Sequence, residues 1–218
     1  MDKIEIFCDA SIKQFECGTI GCAGAIALLN RQLTDYKSLQ FVQGTNNLSE
    51  ITAIYLAVQL AYKVITDLNL SNYVVYIYSD SKISVFGLKH WIDAWSKQTY
   101  DGVMFNSQGQ RVANQDMFVN VFVYLKNKKI QTYLLHCKGH INVNKPIDIE
   151  KAKKVFLESN GYEISDDEVK FISTYNNMVD NLTRDQLNKI DLNNITPNND
   201  KEMMCHYLLP IDYKQFIK

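Results

Sequence analysis

The spacing of hydrophobic and polar positions changes period along the chain, and the changes mark out the elements. "KIEIFCD" alternates up to Asp9 and predicts a first strand. "GCAGAIALLN" and "DYKSLQFVQG" are two further apolar or alternating runs divided by "RQLT", which predicts antiparallel strands joined by a hairpin. The period then becomes helical. Ile51, Ile54, Tyr55, Val58, Ala61, Tyr62 and Ile65 recur on one face, predicting an amphipathic helix over about residues 49–67. "YVVYIYSD" is a continuous β-branched and aromatic run, suited to a strand covered on both faces, and it ends at Asp80. "SKISVFGLKHWIDAW" is a shorter helical stretch, broken or bent near Gly87. "QDMFVNVFVYLKN" is another, with Met117, Val121, Tyr124 and Leu125 on one face. "IQTYLLHC" reads as a strand leading into the loop "KGHINVNKP". This order predicts an α/β fold: a mixed five-stranded sheet, three antiparallel strands and then parallel ones, flanked by helices.

The rhythm then changes. "PIDIEKAKKVFLES" has Pro146 near its start and Gly161 just past its end, the asymmetry of a helix. "SDDE", residues 165–168, is a capping-box pattern opening another helix that runs to Asn176 or beyond. From Asn188 the chain is polar and rich in asparagine, and the final "MMCHYLLPIDYKQFIK" is apolar enough to dock on a core. The expected organisation is one domain over residues 1–190, including a helical insertion over 141–175, and a docked tail over 191–218.

Composition narrows this picture. A chain of 218 residues with 46% hydrophobic content suits one good-sized domain. Asp2 and the lack of a long apolar core argue against a signal peptide, and no later apolar run suggests a bilayer span. A soluble, cytoplasmic protein without membrane association is expected, a monomer by default. Cys8, Cys17, Cys22, Cys137 and Cys205 are odd in number and lack CxxC spacing, which favours reduced thiols over zinc ligands. The net charge of −1 argues weakly against a nucleic-acid protein, but charge is segregated. Met117 to Lys145 holds no acid and five lysines: Lys126, Lys128, Lys129, Lys138 and Lys145. "KNKK" is by itself a solvated loop before a strand.

Three acids stand out by position. Asp9 and Asp80 both fall at the C-terminal ends of predicted strands, where open α/β sheets bind ligands. Glu50 heads the apolar stripe of the first long helix, where a carboxylate is costly unless something positive meets it. Singly, Asp80 could cap the helix that follows, Asp9 could close a turn and Glu50 could bend out to water. Together, carboxylates converging on one sheet edge raise each other's pKa unless a cation neutralises them, and oxygen-only ligands suit Mg²⁺ or Mn²⁺. Two hard cations about 3.5–4 Å apart would stabilise both oxygens of a phosphoryl displacement. The chemistry implied is phosphodiester hydrolysis.

"FCDAS" with Asp9, "GTNNLSE" with Glu50, "YSDSK" with Asp80 followed by "LKHWIDAW", "CKGH" with His140 and "NNMVDNLTR" with Asp180 resemble, in order, the signatures of type 1 ribonuclease H. The resemblance spans most of residues 3–184. It implies a metal-dependent endonuclease that binds RNA–DNA hybrids and cuts the RNA strand, leaving 5′-phosphate and 3′-hydroxyl ends. It also implies that Asp9, Glu50, Asp80 and Asp180 hold two Mg²⁺ ions, with Mn²⁺ as a substitute. His140 would assist water delivery or product release. Thr45, Asn46, Asn47, Ser81 and Lys82 would contact substrate, with the two asparagines in the hybrid minor groove.

Some features depart from that pattern. The segment from Trp95 to Asn114, a strongly basic handle in many family members, offers only Lys97 and Arg111. Lys126, Lys128, Lys129 and Lys138 are the alternative grip on a hybrid. Lys151, Lys153 and Lys154 read as a solvated helix face. His140 and Asp180 are separated by the helical insertion, so either Asp180 lies mid-helix or the helix breaks at Asn176 and Asn177. A break is the expectation, because asparagines suit turns and caps better than helix interiors. Two other classes stay open: a same-fold DNA nuclease or strand-transfer enzyme, and a non-catalytic scaffold.

Overall fold

The computed structural model describes residues 1–16 and 18–189. Cys17, Cys205 and the tail expected to dock from residue 191 lie outside them. β1 (Asp2–Phe15), β2 (Gly18–Leu29) and β3 (Gln32–Gln43) pair antiparallel in sequence. Helix α1 (Asn46–Asp67) leads to β4 (Tyr73–Ser79), parallel to β1. Then come α2 (Lys82–Phe86), a π-helical turn over Gly87–Trp91, α3 (Ile92–Lys97) and a small hairpin of β5 (Thr99–Tyr100) and β6 (Val103–Met104). Helix α4 (Gln115–Lys128) precedes β7 (Thr132–His136), parallel to β4, and α5 (Pro146–Asn160) and α6 (Asp166–Lys189) follow. The main sheet is ordered β3-β2-β1-β4-β7, the expected mixed five-stranded sheet.

The centre of the sheet, in β1, β2 and β4, is buried on both faces, which is why β4 reads as an unbroken apolar run. On one face Ile4, Ile6 and Cys8 pack under Ile54, Val58 and Ala61 of α1 and Val121 of α4. On the other, Phe7 and Tyr78 stack at 4.7 Å beneath Phe156, Ile172 and Val179 of α5 and α6. Each fully buried side chain of this size is worth roughly 1.5–3 kcal/mol. By length and composition alone α1 could cross a bilayer, contrary to the sequence expectation, but here it is the core helix.

Two glycines of β2 set how closely the helices approach. A Cβ on Gly21 would lie 2.1 Å from Ser49 Oγ of α1, and one on Gly24 would lie 2.6 Å from Thr183 Cγ2 of α6. The two positions face opposite sides of the sheet, so one strand admits both helices at close range. Glu50 follows Ser49 and Asp180 precedes Thr183, so these contacts bring both acids towards β1.

Several boundaries differ from expectation. β1 continues to Phe15, so Asp9 is mid-strand rather than at a strand end. The β2–β3 turn is Asn30–Arg31, both at positive φ (50° and 66°), the two-residue hairpin geometry, and Gln32–Thr34 belong to β3. Helix α1 starts at Asn46 because the Thr45 hydroxyl accepts from Leu48 N–H at 3.2 Å. Helix α6 runs unbroken through Asn176 and Asn177. Ser165 does open it as expected, accepting from Glu168 N–H at 3.1 Å.

Candidate active site

Parallel register brings the first two acids together. Phe7 sits opposite Tyr78, and two residues further along each strand are Asp9 and Asp80. β4 stops at Ser79 while β1 runs on beside β2, so Asp9 stands where the sheet loses a strand. That opening is filled from both sides. Glu50 projects from the first turns of α1, and its Oε2 accepts from Ser81 Oγ, directly after Asp80. Asp180 sits on α6, and Ser11 Oγ reaches its Oδ1 at 3.5 Å and Thr183 Oγ1 at 2.9 Å.

The electrostatics follow from this convergence. Burial and then the Asp80 carboxylate, with smaller contributions from Asp180 and Glu50, push Asp9 from the ordinary 3.8 up to about 8; the Ala10 N–H, 2.7 Å from its Oδ1, opposes them. The other three carboxylates therefore all act on Asp9. Arg184, one turn after Asp180, donates to Asp180 Oδ2 and supplies part of the missing positive charge. Asn176, one turn before it, donates to Asp80 Oδ2 at 3.4 Å and accepts a weak contact from Cys137 Sγ at 3.7 Å. The four-residue spacing of Asn176, Asp180 and Arg184 puts them on one helical face, which is why α6 does not break. Asn176 uses its amide on Asp80 and Cys137, just past the ends of β4 and β7, instead of on its own backbone.

The loop after β7 closes the cleft. A Cβ on Gly139 would lie 1.9 Å from Asp80 Oδ2, so only glycine lets this loop pass. It delivers His140, exposed and at φ 52°, with Nδ1 3.9 Å from Asp180 Oδ2. Lys138 is exposed beside it.

The substrate-contact candidates fall into two groups. Thr45, Asn46 and Asn47 are exposed at the start of α1, with the Thr45 side chain engaged as the cap. Asn46 donates from Nδ2 to Glu50 Oε1 at 2.6 Å. Lys82 is exposed, its Nζ 5.3 Å from the Phe86 ring centroid. Ser81 is buried, with its hydroxyl bridging Glu50 and Ser84, so it orients Glu50 rather than presenting a surface. Lys126, Lys128 and Lys129 lie at the far end of the sheet: α4 ends just before β7 begins, opposite Val75, five residues before Asp80. Lys126 and Lys128 rest over the Phe122 and Tyr62 rings, each at 4.3 Å. Of that lysine group only Lys138 is near the acids. Lys151, Lys153 and Lys154 pair with acids on the α5 surface, as a solvated face does.

The donor set, four carboxylates with oxygen atoms only, fits a hard divalent cation. As the side chains stand, no three His, Cys, Asp or Glu among the described residues are gathered so that they could hold a metal ion. Glu50 is held by Asn46 and Ser81 and Asp180 by Arg184, so a cation would compete with those bonds.

The ribonuclease H family model matches residues 1–155. The chain belongs to the ribonuclease H family. The match covers Asp9, Glu50, Asp80 and His140 and stops short of Asp180, so α6 is placed by the structure alone. The solution structure of a ribonuclease H domain from a foamy virus (PFV) superposes with TM-score 0.51 at 16% identity, over 72% of this chain and 93% of that one. A foamy viral protease–reverse transcriptase, solved in complex with RNA/DNA hybrid, gives TM-score 0.51 at 13% identity. That match covers 71% of this chain and only 19% of the viral protein. At such identities the likeness shows the ribonuclease H fold. No curated protein sequence matches the chain.

Sequence reasoning had given no site role to Ser11, Asn176, Arg184 or His136, and had read Asn176 as a helix break. The first three were legible as neighbours of acids at strand or helical spacing. His136 had no local signal, because its partners come from α5.

Proposed function

We propose that the protein hydrolyses the RNA strand of RNA–DNA hybrids, leaving 5′-phosphate and 3′-hydroxyl ends. The observation that carries the reading is the convergence of Asp9, Glu50, Asp80 and Asp180 on the point where β4 leaves the sheet, in a ribonuclease H chain. Asp9, Glu50, Asp80 and Asp180 would hold two Mg²⁺ or Mn²⁺ ions, which supply charge stabilisation to the attacking and leaving oxygens of the phosphodiester. The protein's own groups do the rest. Asn46 Oδ1 and the Asn47 side chain, exposed beside Glu50, offer hydrogen bonds to 2′-hydroxyls and base edges in the shallow minor groove. Lys82 and Lys138 offer charge to phosphates. His140 Nδ1 is within reach of a water entering beside Asp180 and is suited to move its proton.

The test is a panel of labelled RNA–DNA hybrid, duplex DNA and duplex RNA with Mg²⁺, with and without chelator. Wild type should cut only the hybrid's RNA strand, and only with metal. The Asn46→Ala/Asn47→Ala double variant should lose on the order of tenfold in kcat/KM, the scale of one or two lost hydrogen bonds. Equal cutting of duplex DNA would instead mean a DNA nuclease. Hybrid binding with no cleavage would mean a scaffold.

A further inference from the structure

β7 is the outer strand of the sheet, and its last residue, His136, is buried with both ring nitrogens engaged. Nε2 lies 3.2 Å from the backbone carbonyl oxygen of Asp80. Nδ1 lies 2.9 Å from Ser159 Oγ at the end of α5. A carbonyl oxygen only accepts, so Nε2 carries the proton and Nδ1 accepts from the serine hydroxyl. The main chain of His136 is gripped as well. Its N–H donates to Asn160 Oδ1 at 3.1 Å, and Asn160 Nδ2 donates to its carbonyl at 2.8 Å. The asparagine amide thus stands where a sixth strand would. Lys89 Nζ completes the joint, 3.4 Å from both Asn160 Oδ1 and the Ser159 carbonyl.

These bonds converge on the peptide that follows β4. Ser79 and Asp80 are its last strand residue and the acid, and Cys137 N–H donates to the Ser79 carbonyl at 3.0 Å. Beyond that point the Asp80 backbone has left the ladder, and His136 is what holds its carbonyl. Ser159 and Asn160 both lie past residue 155, where the family match ends. We infer that His136, braced by Ser159 and Asn160 of α5, is a positioning residue that fixes the Asp80 main chain and hence the direction of its carboxylate. The inserted helix is then a support for the acid site.

The kinetic part of this inference rests on the proposed hybrid cleavage; the structural part does not. The experiment compares wild type, His136→Ala, His136→Gln and Ser159→Ala by steady-state cleavage of hybrid, by thermal melting, and by amide hydrogen exchange over residues 79–82. His136→Ala should lower kcat roughly 10- to 100-fold, as loss of an outer partner of a metal ligand does, with KM little changed. Glutamine, which returns an N–H donor, should recover most of the loss, and Ser159→Ala should give a smaller fall. Exchange at Asp80 and its neighbours should quicken in His136→Ala and, less, in Ser159→Ala. Unchanged kcat and exchange in His136→Ala would overturn the inference, as would a loss that glutamine does not recover. If His136→Ala does not fold, Ser159→Ala decides by the same exchange readout. If wild type cleaves no hybrid, the functional reading fails and exchange over residues 79–82 alone decides the inference.

Discussion

Asn176 shows how one side chain reverses a local preference. An asparagine inside a helix normally competes for the backbone, which led the sequence to suggest a break there. In the fold it is buried and donates to Asp80 Oδ2, so its polar group gains more from the β4 acid than from its own turn. Asn176→Ala should therefore cost stability, roughly 1–3 kcal/mol for the polar groups left unpaired. It should also lower cleavage on the order of tenfold by freeing Asp80. Melting and kcat measured on the same preparation check this; a variant losing neither would remove Asn176 from the site. Asp9, Glu50 and Asp80 were legible as single residues because each sits at a recognisable transition of period. Ser81 was expected to contact substrate, and only the approach of α1 shows that it is buried against Glu50.

At the scale of elements, the five strands of the main sheet and the helices were legible, but their lengths and the small β5–β6 hairpin were not. Alternation and helical periodicity reported β1 to β4, α1, α4 and β7, because those patterns are made by burial on one face or two, while Pro146, Gly161 and the Ser165 capping box marked α5 and the start of α6. The continuation of β1 past Asp9 depends on pairing with residues 18–23 across the β1–β2 hairpin, which the apolar pattern of β1 alone does not carry. The unbroken course of α6 depends on contacts with β1 and β2. Gly24 is the place where this shows most directly, since a methyl there would stand 2.6 Å from Thr183 Cγ2 and 3.0 Å from Leu39 Cδ2. Gly24→Ala is expected to overpack the sheet–α6 contact, costing roughly 1–3 kcal/mol. The melting temperature should drop by several degrees, and activity should fall because Asp180 is one turn from the clash. A variant as stable and active as wild type would mean that α6 does not need this close approach.

For the whole molecule, the consequence of four converging carboxylates is a dependence of stability on pH and metal. With chelator present, folded Asp9 holds its proton to about 8, against an ordinary value of 3.8. Between those values the folded state binds a proton that the unfolded state has released. The associated stability is fully present below the unfolded value and is lost as pH rises through about 8. The melting temperature of metal-free protein should thus fall between about pH 4 and about pH 8, and Asp9→Asn should flatten the fall. Mg²⁺ should raise the melting temperature most at the alkaline end, where the carboxylates are ionised and the cation binds the folded state. A flat profile with chelator would mean that Asp9 is not held protonated by its neighbours. Segregated charge is not gathered at the acids: strand direction carries Lys126, Lys128 and Lys129 to the opposite end of the sheet, so any grip they give a hybrid is away from the cleavage site.

The central claim is that acids from β1, α1, the end of β4 and α6 form one metal-dependent cleavage site. The most direct measurement is RNA-strand cleavage of a labelled hybrid, with Mg²⁺, by wild type and by Asp9→Asn, Glu50→Gln, Asp80→Asn and Asp180→Asn. Wild type should cut the RNA strand, and each variant should lose activity by roughly 10²–10³ or more, since several kcal/mol of charge stabilisation is at stake. Asp180→Asn is the most telling of the four, because Asp180 lies beyond the family match and inside an unbroken helix. Wild-type rates in that variant would contradict the four-acid site, and an inactive wild type would contradict the enzyme.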